Sequence, residues 1–529
     1  MKSIYKKLIQ KPIFILIIVN ILIGLFIYRD FGLTWDEPLF YSYGDALGYA
    51  YSPTEWFSGN FDLYNSYGAS AEDHKTRGPA YLLLARNFVY GLEALGSDST
   101  SAWHLVNFLF FQLGIYFLYR ISRRWMRPSA ALFAAAFFSF QPMLWGHAFI
   151  NPKDPPFLTF FLASVCLGFE MVDAITQNAN DKTRKILLAS FTLGIAASIR
   201  ILAPLAGLLI FIYFLVTTKE SKSIHAWRSF IYYGLIAIIV MIATWPFLWG
   251  NLFTNFFNVF ILMSDNPTNL GVLFGGIKYS ASELPRRYLP VIMSITLTEP
   301  TWILFGLGFI AGYWKLLKHR TSDFIKQITS LSLVFSYFLI VLAYVLLRRP
   351  AMYDGMRHFF FILPPIFIFI GFAFEYLIEK LSLILHSRAW PHVILGFLLI
   401  LPGINGIIKL HPYEYAYYNS FVGGTDGAFR KYETDYWLTC YKEAVAELTD
   451  KISEPTRLFV YRQPSIASNY SNELLEIKNI RGKHDNILAG DYILVNTRTN
   501  EDRSVLNDES IAFEIKRGNA TFCVIREVR

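Results

Sequence analysis

Charged residues are scarce in this chain of 529 residues, since Asp, Glu, Lys and Arg together make up 17% of it. A typical soluble domain has about 25% charged residues, whereas hydrophobic residues reach 54% here. Cysteine is also rare, and the three cysteines, Cys166, Cys440 and Cys523, exclude a disulfide scaffold and a multi-cysteine zinc site. These shortages argue against a large soluble enzyme and indicate that a lipid bilayer is the main solvent.

Apolar runs near the length that crosses the hydrocarbon of a membrane recur along the first three quarters of the sequence. The predicted spans are residues 13–28, 104–119, 129–145, 157–172, 186–199, 201–216, 230–246, 297–313, 328–347, 359–377 and 393–408. The count stays open at two places: the split at Ala203-Pro204, and the run 247–263, which also fits an interfacial or re-entrant helix. We expect an α-helical polytopic membrane protein with about 11 transmembrane helices.

Clusters of lysine and arginine indicate the orientation of these spans, because cytoplasmic connections are rich in both. The clusters are Lys2, Lys6, Lys7 and Lys11; Arg120, Arg123, Arg124 and Arg127; Lys182, Arg184 and Lys185; Lys219, Lys222 and Arg228; Lys315, Lys318 and Arg320; and Lys380 and Arg388. The first span then acts as an uncleaved signal anchor with a cytoplasmic N-terminus. The long connections 29–102 and 251–290 and the tail after residue 408 are predicted to lie outside.

The tail changes character, so we divide the chain into a transmembrane domain, residues 1–408, and a small extracytoplasmic α/β domain, residues 409–529. An amphipathic helix is predicted over 436–452 with Thr434 or Asp435 as its cap, followed by the strand-like runs RLFVY, DYILVNT, IAFEIK and TFCVIREV. Cys440 and Cys523 fit either a disulfide or two buried free thiols. Glu433 and Asp435 have the spacing of a chelator, but a capping role is favoured.

Two acidic segments lie on the predicted outer face. GLTWDEPLFYSYGDA, after the first span, carries Asp36 and Glu37, and HAFINPKDPPFLTFF, between the third and fourth spans, carries Asp154. Carboxylates followed by proline often cap helices, so the local pattern allows either a capping or a catalytic role for Asp36 and Asp154.

An excess of cations accompanies these acids, although outer connections usually carry few. The cations are Lys75, Arg77, Lys153, Arg200, Arg286, Arg287, Arg348, Arg349 and Arg357. Lipid headgroups explain Arg348 and Arg349 beside a span end. The others predict a phosphate-bearing partner, because arginine can donate two parallel hydrogen bonds to phosphate oxygens. The cations punctuate the apolar runs and form no single basic surface, which argues against nucleic acid.

Several motifs together resemble one superfamily. They are WDEP, HLVNFLFFQLGIYFLYRISRRW, NPKDPP, PRRYLPV before a Thr-Glu-Pro, and DGMRHFFFILPP. Their order and topological side are similar to those of the polyprenyl- and dolichyl-phosphate-dependent glycosyltransferases with the GT-C fold, the group of the protein O-mannosyltransferases and aminoarabinose transferases. The tail motifs HPYEYAYYNSFVGG and ETDYWLTCYKEA resemble a C-terminal domain of some bacterial members, which implies an integral protein of the bacterial inner membrane.

The resemblance implies a glycosyltransferase that moves a sugar from a polyprenyl-phosphate donor to a protein, lipid or glycan acceptor, with inversion at the anomeric carbon and without metal or other cofactor. It places the catalytic roles on Asp36, as general base with Glu37 beside it, and on Asp154. We assign donor phosphate binding to Lys75, Arg77, Lys153, Arg200, Arg357 and His358, although His358 also fits an interfacial position.

A flippase of lipid-linked sugars is the alternative from another functional class. Such a protein is expected to place ionisable groups in the middle of the membrane, whereas the acids of this chain cluster outside. A membrane-anchored sensor would explain the tail but would leave the outer acids and cations without a role.

Overall fold

The structure is a computed structural model that describes residues 12–69, 71–218, 224–264, 270–318, 322–385, 390–481 and 486–529. Several predicted cytoplasmic cations lie outside the described residues: Lys2, Lys6, Lys7, Lys11, Lys219, Lys222, Arg320 and Arg388. The described chain is mostly helical, with its larger sheet near the C-terminus.

Every predicted span coincides with a helix. These helices are Ile13–Ile27, Ser99–Ser122, Pro128–Ser139 with Pro142–Ile150, Asp154–Thr176, Lys182–Ile199, Pro204–Thr217, Ile224–Ala243, Pro300–Lys318, Phe324–Arg348, Pro364–Leu385 and Trp390–Leu410. Length and apolarity alone qualify 5 of the described helices as membrane spans, or 7 if each bent pair counts as one. The polytopic helical class is therefore confirmed, and this criterion supports fewer crossings than the 11 predicted.

Prolines mark both bent pairs, because proline lacks the amide hydrogen that would continue a helix. Pro128–Ser139 and Pro142–Ile150 meet at 66°, and Tyr288–Thr296 meets Pro300–Lys318 at 103°. The second helix of the first pair, Pro142–Ile150, ends four residues before Asp154.

The first long connection is folded and does not behave as a linker. It contains the helices Glu37–Ala50, Pro53–Trp56, Ala71–His74 and Ala80–Ala94 and the 3₁₀ turn Leu63–Ser66. At Gly78 the backbone passes so close to Ser198 that a Cβ atom would lie 1.4 Å from its carbonyl oxygen. This contact brings Arg77 into the neighbourhood of Arg200.

The short helix Phe247–Gly250 precedes the second long connection, which itself begins with the helix Leu252–Ser264. Two antiparallel strands follow, β1 (Gly271–Phe274) and β2 (Ile277–Ser280), paired from Gly271 with Ser280 to Phe274 with Ile277.

The C-terminal domain has an α/β fold with one five-stranded sheet. Its strands are β3 (Thr456–Val460), β4 (Leu475–Asn479), β5 (Tyr492–Asn496), β6 (Ser510–Arg517) and β7 (Ala520–Glu527), in the order β4-β3-β5-β7-β6. Strand β3 runs parallel to β4 and β5, whereas β7 is antiparallel to β5 and β6. The helix Tyr441–Lys451 packs on β6 and β7.

The predicted start of that helix, residue 436, is wrong, because the helix begins at Tyr441. The carboxylate of Asp435 accepts hydrogen bonds from the amides of Trp437, at 3.0 Å, and Cys440, at 3.1 Å, and so holds the preceding turn in place. A disulfide joins Cys440 to Cys523, with their Cα atoms 5.9 Å apart, while Cys166 is free and buried.

Residues just beyond 408 pack against the membrane helices. A Cβ atom on Gly146 would lie 2.5 Å from the amide nitrogen of Tyr415, and the Nε2 atom of His147 lies 2.8 Å from the hydroxyl of Tyr436. One hydrophobic core includes side chains from both parts of the chain. The C-terminal domain is therefore built onto the transmembrane domain.

Candidate active site

Arg357 joins three carboxylates that come from three separate segments. Its Nη2 atom lies 2.8 Å from Asp354 Oδ2 and 3.6 Å from Asp36 Oδ2, and its Nη1 atom lies 3.3 Å from Asp154 Oδ2. Asp36 and Asp154 therefore face the same space, which is the condition that a shared pocket requires.

Asp154 is held between two arginines. It begins the helix Asp154–Thr176, it is 2% exposed, and it pairs with Arg200 as well as Arg357. The capping role at this helix belongs to Asn151, whose side-chain oxygen accepts from the amides of Lys153 and Asp154. The carboxylate of Asp154 is thus left for the arginines, and the capping alternative for this residue is wrong.

Asp36 is the most accessible carboxylate of the group. It is 28% exposed, against 2% for Asp154 and 0% for Asp354. Although it precedes the helix Glu37–Ala50, its side chain makes no capping hydrogen bond among the described contacts of that helix. Its carboxylate therefore lies where an incoming molecule can reach it.

Glu37 points into the protein. It is fully buried and accepts hydrogen bonds from the amide of Thr34, at 2.6 Å, and from the hydroxyl of Tyr41. Its Oε1 atom also lies 3.0 Å from His104 Nε2. These contacts hold the Glu37 carboxylate in the protein interior, and its catalytic role stays a prediction.

Three of the predicted phosphate-binding cations lie over two aromatic rings. Arg77 and Lys153 lie over the ring of Phe40, at 5.7 and 5.8 Å from its centroid, and Arg200 lies 5.8 Å from the ring centre of Phe157. The face of an aromatic ring attracts a cation electrostatically, so these rings help to hold the three cations in place.

Burial and crowding by like charges affect the groups that face this space. Burial, together with the charges of Arg200, Arg77 and Arg357, lowers the pKa of Lys153 well below its usual value. Burial and the nearby cations, Arg357 first, also lower the pKa of His358, which is therefore a neutral imidazole at pH 7. A phosphate anion would relieve the repulsion among these cations.

Lys75 is placed differently. Its main-chain carbonyl accepts a hydrogen bond of 3.2 Å from the indole of Trp245. The assignment of its ammonium group to the phosphate site stays a prediction.

Comparison with known proteins supports the resemblance seen in the sequence. Residues 83–249 match the family model described as dolichyl-phosphate-mannose-protein mannosyltransferase. The fold is similar to the oligosaccharyltransferase of Archaeoglobus fulgidus in its apo form, with a TM-score of 0.52, 10% identity, and coverage of 93% of this chain and 70% of that chain. The resemblance to the GT-C glycosyltransferases is confirmed.

Further solved structures are similar to this chain. The oligosaccharyltransferase AglB of Archaeoglobus fulgidus, in complex with an inhibitory peptide and a dolichol-phosphate, has a TM-score of 0.50 at 11% identity, with coverage of 94% of this chain and 70% of that chain. ArnT from Cupriavidus metallidurans in the apo state has a TM-score of 0.49 at 11% identity, with coverage of 96% and 97%. No curated protein matches the chain.

The GT-C scaffold brings together residues that sequence reasoning missed. Asp354 is fully buried in the segment just before Arg357, and Arg498 from the C-terminal domain lies 2.8 Å from it. For Asp354 the sequence carried a signal of a turn, because Asp-Gly is a common turn pair. In the structure Asp354 and Gly355 indeed have positive φ angles of 56° and 67°. Arg498 had no local signal, because only the tertiary fold places it there.

The acidic pair with chelator-like spacing is occupied by protein groups. Glu433 lies 3.6 Å from Arg498, and burial raises the pKa of Glu433 to about 7. Asp435 converges with Cys440 and Cys523, the group of potential metal ligands found among the described residues. Because the two sulfur atoms are bonded to each other, they are not available as thiolate ligands.

Proposed function

We propose that the protein transfers a sugar from a polyprenyl-phosphate donor to an acceptor on the outer side of the membrane, with inversion at the anomeric carbon. The observation that carries this proposal is the convergence of Asp36 and Asp154 on Arg357, beside the cations Arg77 and Lys153. The match to a dolichyl-phosphate-mannose-protein mannosyltransferase family model and the dolichol-phosphate bound by AglB support a lipid-phosphate donor.

Asp36 is the proposed general base, since it is the accessible carboxylate. It takes the proton from an acceptor hydroxyl or amine, whose oxygen or nitrogen bonds to the anomeric carbon. The bond from that carbon to the phosphate oxygen breaks, and the phosphate leaves with the electron pair. Phosphate is a good leaving group, so the reaction needs no strong general acid.

The cations stabilise the negative charge that develops on the departing phosphate. Arg77, Lys153, Arg200 and Arg357 are fixed before the reaction, so little reorganisation is needed when the charge appears. His358, as a neutral imidazole, can add a hydrogen bond. Asp154 keeps Arg200 and Arg357 at a fixed separation because both guanidinium groups pair with it.

We propose that the reaction requires no metal ion. Asp36 and Asp154 are both paired with arginine, so a divalent cation would have to displace a guanidinium group to bind either carboxylate. In the assay below, a chelator is expected to leave the rate unchanged. Loss of activity that returns with Mn²⁺ or Mg²⁺ would overturn this part of the proposal.

We place the protein in a bacterial inner membrane with its N-terminus in the cytoplasm and its C-terminal domain outside. The disulfide between Cys440 and Cys523 supports this orientation, because disulfides persist in oxidising compartments. To test this orientation, cysteines are engineered at exposed positions of the C-terminal domain, and spheroplasts are treated with an impermeant thiol reagent. Labelling in intact spheroplasts is expected. Protection of those positions until lysis would contradict the orientation.

The central test reconstitutes the full chain in vesicles with polyprenyl-phosphate donors that carry radiolabelled hexoses or pentoses. Membrane extracts supply candidate acceptors. Asp36→Asn is expected to lower the transfer rate by at least about a hundredfold, the usual contribution of a general base. Asp62→Asn, an exposed position in the same outer connection, is the matched control and should retain the wild-type rate.

Two outcomes would refute the proposal. If folded Asp36→Asn transfers sugar at the wild-type rate, Asp36 is not the base. If the wild-type protein moves donor across the bilayer without forming a covalent product, the protein is a flippase.

A further inference from the structure

We infer that Arg498 of the C-terminal domain is a positioning residue of the active site, so that this domain completes the site. The inference rests on the proposed function. Arg498 is 1% exposed, and its Nη1 atom lies 2.8 Å from Asp354 Oδ1. Its guanidinium carbon lies 4.6 Å from the ring centre of Trp35, the residue that precedes Asp36. The C-terminal domain thereby contacts both Asp354 and the residue next to Asp36.

Asp354 links Arg498 to Arg357. Its Oδ2 atom accepts hydrogen bonds from Arg357 Nη2, at 2.8 Å, and from the indole of Trp437, at 3.1 Å. The guanidinium of Arg357 also lies 4.8 Å from the ring centre of Trp437. Two residues from beyond position 408 therefore fix the carboxylate that anchors Arg357.

The balance of charge makes Arg498 necessary for this arrangement. Four acids, Asp36, Asp154, Asp354 and Glu433, are paired within one network that contains the guanidinium groups of Arg200, Arg357 and Arg498. Without Arg498, Arg357 would be the one remaining cation of this network that is paired with Asp354. Arg357 would then shift towards Asp354 and away from Asp36 and Asp154.

The loop that presents Arg498 is held in an unusual conformation. Thr499 and Asn500, which follow it directly, have φ angles of 50° and 60°. Residues other than glycine keep such angles only where their surroundings hold them. Asp502 forms two hydrogen bonds of 2.6 Å with Arg430, and Glu501 pairs with Arg462. These ion pairs fix the loop and direct Arg498 into the site.

The test measures kcat for sugar transfer at saturating donor in Arg498→Gln, Asp354→Asn and the double variant. Arg498→Gln should lower kcat by about ten- to a hundredfold, because a small displacement of catalytic groups has effects of this size. Arg498→Lys should recover part of the loss, since it keeps the charge without the planar fork of donors. The control is Arg457→Gln, which breaks the two-bond ion pair with Asp491 in the same domain and should leave kcat unchanged.

The double variant distinguishes positioning from a general structural role. If Arg498 acts through Asp354, the double variant should lose no more activity than the less active of the two single variants. Removing one positive and one negative charge together restores the balance of charge in the network. Losses that multiply would overturn the inference, as would a folded Arg498→Gln with wild-type kcat. If Arg498→Gln does not fold, the kcat of the double variant is compared with that of Asp354→Asn. Equal values support the inference, and a further loss in the double variant would overturn it. No transfer by the wild-type protein would refute the proposed function, whereas wild-type transfer with an unaffected Arg498→Gln would refute only this inference.

Discussion

Replacing Arg357 with glutamine removes the group on which three carboxylates converge. At 3.3 Å from Asp154, the Coulomb attraction is about 5 kcal/mol at an effective dielectric constant near 20. Asp154 keeps Arg200 and Asp354 keeps Arg498. We therefore expect Arg357→Gln to lower the free energy of unfolding by about 3 kcal/mol, the lower end of the range for broken buried pairs.

The effect on catalysis should exceed the effect on stability. Arg357 is expected to stabilise the departing phosphate, and removal of one such preorganised donor typically lowers kcat by about a hundred- to a thousandfold. The assay combines thermal unfolding in detergent with sugar transfer in vesicles. Arg357→Lys should give intermediate values, and exposed Arg348→Gln is the control. A folded Arg357→Gln that keeps more than half of the wild-type rate would show that the reaction takes place elsewhere.

Further predictions concern packing, pH and redox state. A Cβ atom on Gly78 would lie 1.4 Å from the Ser198 carbonyl oxygen, so Gly78→Ala should lower both the melting temperature and the rate of sugar transfer. Gly91→Ala, where a Cβ atom meets open space, should instead stabilise its helix by about 0.5–1 kcal/mol. Equal melting temperatures for the two variants would contradict this. Burial lowers the pKa of His411, but the hydrogen bonds and charges of Glu414 and Asp30 outweigh it and raise the pKa above 6.5. The stability that protonated His411 contributes is complete below about pH 6.5 and is lost as pH rises through the higher folded-state pKa. The melting temperature should therefore fall between pH 6 and 9, and His411→Gln should remove this fall. The double change Cys440→Ser and Cys523→Ser removes a disulfide that closes a loop of 83 residues and should lower the free energy of unfolding by about 4 kcal/mol. Cys166→Ser is the control. An unchanged urea midpoint of the double variant would contradict this prediction.

The positions of the helices were largely predictable from sequence. A run of apolar residues long enough to cross a bilayer is a local property, and each predicted span lies on a helix. The helix breaks at Pro142 and Pro300 have an equally local cause, although the spans predicted there ignored it. The strand-like runs in the tail likewise became β3, β5, β6 and β7, while the start of the tail helix was missed because Asp435 caps a turn that precedes it.

The candidate site was predictable only in part. The sequence placed Asp36 and Asp154 on one side of the membrane, and the structure brings them to the same guanidinium group. The sequence did not separate Asp36 from Glu37, since neighbouring carboxylates look alike until one of them is buried against Tyr41 and His104.

By itself, the sequence determined a helical membrane protein and predicted that its acids and cations lie on a common face, because hydrophobic length and the distribution of charge act locally along the chain. Only the tertiary structure decided which acid pairs with which cation. Asn151 takes the capping role and leaves Asp154 to two arginines, and Arg498 arrives from the other end of the chain. Such pairings depend on distances of a few ångströms between segments far apart in sequence, and those distances are set when the whole core packs.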